Sequence, residues 1–483
     1  MIDPERTVIT CDLATFKAHA HQRIRGDASC RILAIGFHTQ QLPQVFQALQ
    51  DTAREVIEQA AIALRSIEKH AGPLTLAALK SLKYSSSHPS VAQLRDVFKD
   101  KPAVIVSAGP SLDKNLCELK PYADKTLIIA MGRTAKPLES HGIEPHFLVH
   151  NEPQPFFSFI QGCQNLQKTS FVLASQAQAA YYQHDHGPTF VYHNVVNFTS
   201  RWLAECFPSY EIEDLSTGGS VANEAFSLAQ LMGCNPIIVI GQDLAMKGGR
   251  YYGHGDTNKN FIHSSRDDRT APGYFGEQVQ TVSTYASFAH WFGDTAAKLK
   301  QEEPQRVLLN ATEGGINLAN FENMPLRHIA HRYFTDKLHI NGIVGKVSKP
   351  KKESRLFPAD LKKLTKEAIQ RCKSLQALHQ RFTNWSHPLL QKLQDPHVEV
   401  PNLSVFDEAR DEYVSLLTGF SIISGCMQGE LLEINRLKRT QPKAKDEREA
   451  IIQEIEHFNL TLEGCLKASL ELQPAFERVM AET

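Results

Sequence analysis

Residues 103–116 read Ala-Val-Ile-Val-Ser-Ala-Gly-Pro-Ser-Leu-Asp-Lys-Asn-Leu. The first four are apolar without alternation, which suits a strand buried on both faces of a sheet. Ser107-Ala108-Gly109-Pro110-Ser111 follows, and then a helix-like segment. This is the outline of a strand entering a phosphate-binding turn. Backbone N–H groups and the Ser111 hydroxyl can hold a phosphate or a ribose against a helix N-terminus. Gly109, Pro110 and Ser111 equally make an ordinary turn between strand and helix, so the triplet alone leaves both readings open.

The outline recurs a hundred residues on. Ser216-Thr217-Gly218-Gly219-Ser220 opens a helical pattern that runs through Ala222, Ala225, Leu228, Ala229 and Met232 to a stop at Gly233. Two glycines let backbone approach a ligand closely. The hydroxyls add donors, and the helix dipole favours negative charge. Ser220 or Thr217 also suits a helix cap, and the two roles are compatible. The next apolar run, 237–240, ends in Gly241-Gln242-Asp243. An acid at a strand end binds a hydroxyl, a base edge or a metal, or else caps a helix.

Working outward, apolar runs at 103–106, 127–130, 147–150, 171–174, 190–192, 237–240 and 307–309 alternate with helical patterns. That alternation predicts an α/β fold with a Rossmann-like, mostly parallel sheet core, a helical N-terminal preface and a helical C-terminal domain. In such sheets ligands sit outside the carboxyl ends of the strands. Both glycine turns, His150-Asn151-Glu152, Gln242-Asp243 and Asn310-Ala311-Thr312-Glu313 fall there. Amides and carboxylates at such exits suit sugar or base recognition, and also turn chemistry. The expected domains are 1–98, mainly helical with one strand near 31–35; 99–326, the nucleotide-sugar-binding catalytic domain; and 327–483, helical and suited to docking an acceptor protein. Residues 83–90 read as a polar linker and 346–353 as a basic one. Long amphipathic stretches are expected at 358–394, 405–438 and 444–480, the last with Ile451, Ile455, Phe458, Leu462 and Leu466 on one face.

Composition narrows the function. The chain of 483 residues is 42% hydrophobic and 22% charged, enough to bury real cores. Its 52 basic and 53 acidic residues balance, which argues against a dedicated nucleic-acid binder. The nine cysteines are scattered with no C-x-x-C pair, as in a reducing compartment. No signal peptide and no apolar run long enough for a membrane span is visible, so a cytoplasmic protein is expected. Neither a P-loop nor a complete G-x-G-x-x-G occurs, which disfavours a P-loop ATPase and a standard NAD enzyme. The 21 histidines show no H-E-x-x-H, and His184 with His186 reads as solvent-facing. The loop from Gly248 to Asp256 holds Arg250, Tyr251 and His254, whose side chains can pair with phosphate or move protons.

Taken in order, residues 105–116, His150-Asn151-Glu152-Pro153, residues 214–245 and residues 308–315 resemble the core domain of the motility accessory factor (Maf) flagellin glycosyltransferases. That core is shared with archaeal 6-hydroxymethylpterin pyrophosphokinase-like proteins. Gly273-Tyr274-Phe275-Gly276 and residues 281–292 look like the family's linker helix. The resemblance covers about residues 100–326. It implies transfer of a nonulosonic acid (pseudaminic, legionaminic or sialic-like) from its CMP-activated form to Ser or Thr of flagellin, in support of flagellum assembly and motility. More distantly, Ser216, Gly218, Ala229, Met232-Gly233 and Gly241-Gln242-Asp243 resemble the run of bacterial CMP-sialic-acid transferases. Those enzymes carry two tyrosines after the aspartate that contact the donor phosphate. Tyr251 falls at the second position, and Ala245 departs from the pattern at the first.

The resulting assignment makes Asp243, Tyr251 and His254 catalytic. Gly109, Pro110, Ser111, Asn151, Glu152, Ser216, Thr217, Gly218, Gly219, Ser220, Gln242, Asn310 and Glu313 would surround the CMP donor. Flagellin is the expected partner and no metal site is assigned. Two alternatives stay open. One is an ATP- and Mg²⁺-dependent pterin pyrophosphokinase, in which Asp243 and Glu152 would hold the metal. The other is a non-enzymatic flagellin-binding scaffold.

Overall fold

The structure, a computed structural model, describes residues 42–194, 197–210, 212–246, 268–349 and 356–483. The expected strand near 31–35 and the loop with Arg250, Tyr251 and His254 lie outside the described residues, as do residues 350–353 of the basic stretch 346–353. The chain divides into two compact units, Met1–Gly72 and Pro73–Thr483. In the first, residues 43–72 belong to helix α1 (Pro43–Lys80), where Asp51 accepts hydrogen bonds from Gln47 and Arg54 one turn away on either side.

The second unit is built on an eight-stranded parallel sheet in the order β10-β9-β6-β1-β2-β3-β4-β5. Its strands are β1 (Ala103–Val106), β2 (Leu127–Met131), β3 (Phe147–His150), β4 (Ser170–Ala174), β5 (Thr189–Tyr192), β6 (Ile237–Ile240), β9 (Leu308–Asn310) and β10 (Glu322–Asn323). The α/β expectation is met: the seven apolar runs are seven of the eight strands, and the edge strand β10, polar and two residues long, was not expected. β1 is central: Ala103 pairs with Leu127 of β2 on one side and Ile237 of β6 on the other. The chain builds outward from β1 to β5 and then returns to the far side of β1. The strand order therefore reverses between β1 and β6, the place where open α/β sheets form a ligand crevice.

Residues of β1 alternate between two fully buried faces. Ala103 and Ile105 pack with helices α7 (Val221–Leu231) and α8 (Ser283–Glu302). Val104 and Val106 pack with α3 (Leu112–Leu119) and α9 (Leu326–Tyr333). Burial on both sides is why these strands carry continuous Val, Ile and Leu.

The polar stretch 83–90 is packed rather than open. Leu82–Ser85 forms a short helix (α2), Ser81 and Ser86 are buried, and Ser90 caps a 3₁₀ turn at Val91–Leu94. The serines satisfy themselves locally or on nearby carbonyls, as Ser81 does on Ala177, so polarity here does not mean exposure. Of the segments expected to form the linker helix, residues 283–292 are helical, as the start of α8, while residues 273–276 form the tip of a β-hairpin, β7 (Asp268–Pro272) and β8 (Gln278–Val282), that leads into it. His184 and His186 are half-buried and stacked on Phe171, His186 at 3.8 Å between ring centroids, so they are not solvent-facing. The aromatic face that holds them comes from β4.

The C-terminal helices dock on α6 (Phe198–Cys206), whose Trp202 is 1% exposed and packs edge-on against Phe420 and Phe476. The long pair α11 (Pro358–Lys392) and α15 (Glu447–Glu482) forms the spine of this layer. The expected central stretch is three helices, α12 (Ser404–Leu417), α13 (Ile422–Cys426) and α14 (Gln428–Thr440). Gly419 at φ +66° makes the first break, a conformation that costs glycine little.

Candidate functional site

The site is assembled where strands end. After β1, Gly109 approaches the exit of β6 so closely that a Cβ there would lie 2.2 Å from Asp243 Oδ2 and 2.5 Å from the Gly241 carbonyl. Only glycine fits. Ser111 then donates both its backbone N–H (3.1 Å) and its hydroxyl (2.7 Å) to Asp243 Oδ2. Ser107 donates its hydroxyl to Gln242 Oε1. The turn that resembled a phosphate loop is thus tied down by an acid from the neighbouring strand, with Pro110 between the tied residues. Asp243 and Gln242 are 2% and 4% exposed, and Ser111 5%.

The loop after β9 closes on the same acid. Gly315, at φ +71°, stands with its Cβ position 2.1 Å from the Asp243 carbonyl. Leu244 and Glu313 adopt left-handed backbone conformations at φ 49° and 55°, uncommon for residues with side chains. Such outliers cluster where neighbouring structure over-determines the backbone. Asn310 is fully buried, its Oδ1 accepting from the Thr312 N–H. The Glu313 side chain is 8% exposed, and one of its oxygens receives the Lys114 ammonium.

A second group lies at the exits of β3 and β5, against the first turns of α7. Ser220 caps that helix: its hydroxyl accepts from the Ala222 N–H, and its own N–H donates to Asn223 Oδ1 at 3.1 Å. Gly218 and Gly219 admit packed rings, since Cβ atoms there would lie 2.5 Å from Trp291 and 2.8 Å from Phe288. The capping role foreseen for Ser220 is therefore present, and the glycines serve close packing. Thr217 is half-buried and Ser216 exposed.

One residue here was not expected from sequence. Glu224, one turn into α7, is 1% exposed. Its Oε1 accepts from Asn151 Nδ2 at 3.0 Å and its Oε2 from the Tyr192 hydroxyl at 2.7 Å. Burial pushes its pKa up to about 7; the two hydrogen bonds oppose that shift and the nearby Glu152 adds to it. Burial also raises Glu152 above the usual carboxylate range. His150 stacks on Tyr181 at 3.8 Å, gives its Nε2 to the Glu152 carbonyl, and is held down to about 4 by burial. An acid in the middle of an otherwise apolar helix pattern was the signal available in sequence.

The structure thus brings the candidates into two groups. Gly109, Pro110, Ser111, Gln242, Asp243, Asn310 and Glu313 converge at the β1/β6/β9 exits, while Asn151 and Glu152 meet the head of α7 with Ser220. A cavity of about 720 Å³ lies elsewhere, lined by Arg95, Lys99, Asp214, Gln230 and Arg306; of the candidates only Ser216 borders it.

Residues 77–249 match the family described as 6-hydroxymethylpterin diphosphokinase MptE-like. Among solved structures, the chain is similar to a MAf glycosyltransferase from Magnetospirillum magneticum AMB-1, at 15% identity and a TM-score of 0.56, over 98% of this chain and 70% of that one. No curated protein matches. Residues 77–249 are therefore similar to the MptE-like family, and the chain as a whole shares its fold with a Maf glycosyltransferase. The resemblance read from the motifs is borne out at that level.

Proposed function

We propose that this protein is a glycosyltransferase that moves a nonulosonic acid from a CMP-activated donor to a Ser or Thr hydroxyl of flagellin, acting in the cytoplasm. The observation that carries the reading is that the shared fold covers 98% of the chain, including the C-terminal helices, which a kinase acting on a small pterin does not require. Among the described residues no helix is long and apolar enough to cross a membrane.

In this reading the donor lies along the carboxyl ends of the strands. The acceptor oxygen attacks the anomeric carbon as the bond from that carbon to the phosphate oxygen breaks. CMP leaves with the electron pair, and the acceptor proton passes to a base. Negative charge grows on the departing phosphate. The α7 N-terminus and the hydroxyls of Thr217 and Ser220 favour it there by dipole and hydrogen bond. Asp243 holds the Ser111 turn in place beside the reacting groups. Tyr251 as phosphate partner and His254 as base complete the set.

The MptE-like match favours a second reading, diphosphoryl transfer from ATP to a hydroxymethylpterin, in which Asp243 and Glu152, from the two separate groups, would have to hold Mg²⁺. Purified protein incubated with flagellin and CMP-pseudaminate, CMP-legionaminate or CMP-sialate separates the two. Intact-mass spectrometry should show flagellin gaining whole nonulosonate residues. An unchanged flagellin mass with all three donors, together with ATP-dependent diphosphorylation of hydroxymethylpterin, would establish the second reading instead.

A further inference from the structure

The Asn151 amide is held in one orientation, and what holds it is Glu224. The Asn151 nitrogen donates to Glu224 Oε1, while Tyr192 occupies Oε2. A carboxylate only accepts, so the amide must turn its nitrogen to Glu224 and its oxygen away. That oxygen is buried and has no hydrogen-bond partner among the described residues. Beside it, the half-buried Glu152 carboxylate has no hydrogen-bond or ion-pair partner among the described residues either. A buried acceptor without a donor is costly unless a ligand supplies one. Gln176 fixes the backbone here by donating to the Asn151 carbonyl at 3.2 Å.

Resting on the donor site proposed above, we propose that Glu224 is a positioning residue that presents the Asn151 oxygen to ligand, making the β3 exit a subsite for hydrogen-bond donors rather than for phosphate. Two donor groups on a cytidine nucleotide satisfy this chemistry, a ribose hydroxyl and the exocyclic amine of the base. Asn151 and Glu152 together repel a phosphate, which leaves the anionic part of the ligand to the head of α7. The groups facing Glu224 are Asn151 and Glu152 from the β3 exit and Tyr192 from β5. Tyr192 titrates far above neutral pH because burial and the adjoining Glu224 disfavour its anion. When Glu224 takes a proton it gains a donor, and the amide is free to reverse.

Calorimetry with CMP, UMP and 2′-deoxy-CMP tests this. Wild type should bind CMP more tightly than whichever analogue lacks the recognised donor; UMP identifies the amine, the deoxynucleotide the hydroxyl. Glu224→Gln supplies an N–H that reverses the amide, so CMP binding should fall about tenfold and that discrimination should vanish. Wild-type affinity should also decline from pH 8 to pH 6. Tyr192→Phe removes a hydrogen bond that favours the ionised acid, so it should move this transition to higher pH. Unchanged CMP affinity and discrimination in Glu224→Gln, or an unmoved transition in Tyr192→Phe, would overturn the inference. If wild type binds none of these nucleotides, the proposed donor fails instead. The inference is then decided without ligand by the ¹⁵N side-chain amide resonances of Asn151, assigned by their loss in Asn151→Asp. They should shift between wild type and Glu224→Gln, and identical resonances would refute it.

Discussion

Asp243 Oδ2 accepts two hydrogen bonds from Ser111, the backbone N–H and the hydroxyl, so the turn leaving β1 is anchored by the acid leaving β6. The anchor spans the point where strand order reverses. It converts two separate strand exits into one rigid platform, with the Gly314-Gly315 turn after β9 pressed against the same aspartate.

Removing either end of that anchor should cost stability unequally. Ser111→Ala loses one hydrogen bond, about 1 kcal/mol. Asp243→Ala leaves a buried N–H and a buried hydroxyl unsatisfied together, about 2–4 kcal/mol. Urea denaturation of both variants measures the difference, and equal losses would mean that the anchor is not a shared one.

Gly109 should be intolerant of any side chain. A methyl group there meets Asp243 Oδ2 and the Gly241 carbonyl, neither of which can retreat. Gly109→Ala is expected to destabilise by about 3 kcal/mol or more. Gly342→Ala is the control. Its Cβ would meet nothing within 4 Å inside α10 (Ile340–Val347), and it should stabilise by about 0.5–1 kcal/mol. Thermal unfolding of the two variants should therefore move in opposite directions.

Stability should depend on pH through groups of opposite sign. Glu224 in the fold holds its proton up to about 7, above its unfolded value of 4.5. Its contribution is therefore fully present below pH 4.5 and is lost as pH rises toward 7, at most about 1.4 kcal/mol per pH unit. His146, His150 and His193 are held near 4 by burial, below their unfolded 6.5. Their contribution is present above pH 6.5 and is lost as pH falls toward 4. The three histidines outweigh the one acid, so net stability should fall on acidification below pH 6.5. Glu224→Gln should gain on wild type as pH rises from 5 to 8; a pH-independent difference would contradict the assignment.

Trp202 should couple the helical layer to the sheet. It is almost fully enclosed by α6, Phe420 and Phe476. Trp202→Ala is expected to cost about 3–5 kcal/mol and to loosen the C-terminal helices first. Limited proteolysis should then cut within the linkers between α11 and α15 faster than in wild type, while the sheet region survives.

Much of this was legible in the sequence because buried parallel strands leave unbroken apolar runs. Residues 103–106 and 237–240 could be placed as strands to the residue. The hairpin 268–282 was not, because Arg269-Thr270 and Gln278-Val279-Gln280 carry no apolar run and its pairing depends on Gly273 and Gly276. Asp243 was singled out by its place at a strand end, but its partner Ser111 stands 132 residues away. Glu224 was passed over for the same reason. A helical period records which side of a helix is apolar, not that a carboxylate on that helix meets an amide from one strand exit and a tyrosine from another.

The measurement that bears most directly on the central claim is calorimetric titration of the purified chain with CMP and with ATP, each with Mg²⁺ and with EDTA. The glycosyltransferase account predicts that CMP binds and that binding survives EDTA. ATP binding that requires Mg²⁺, with CMP silent, would contradict it and establish the diphosphokinase reading in its place.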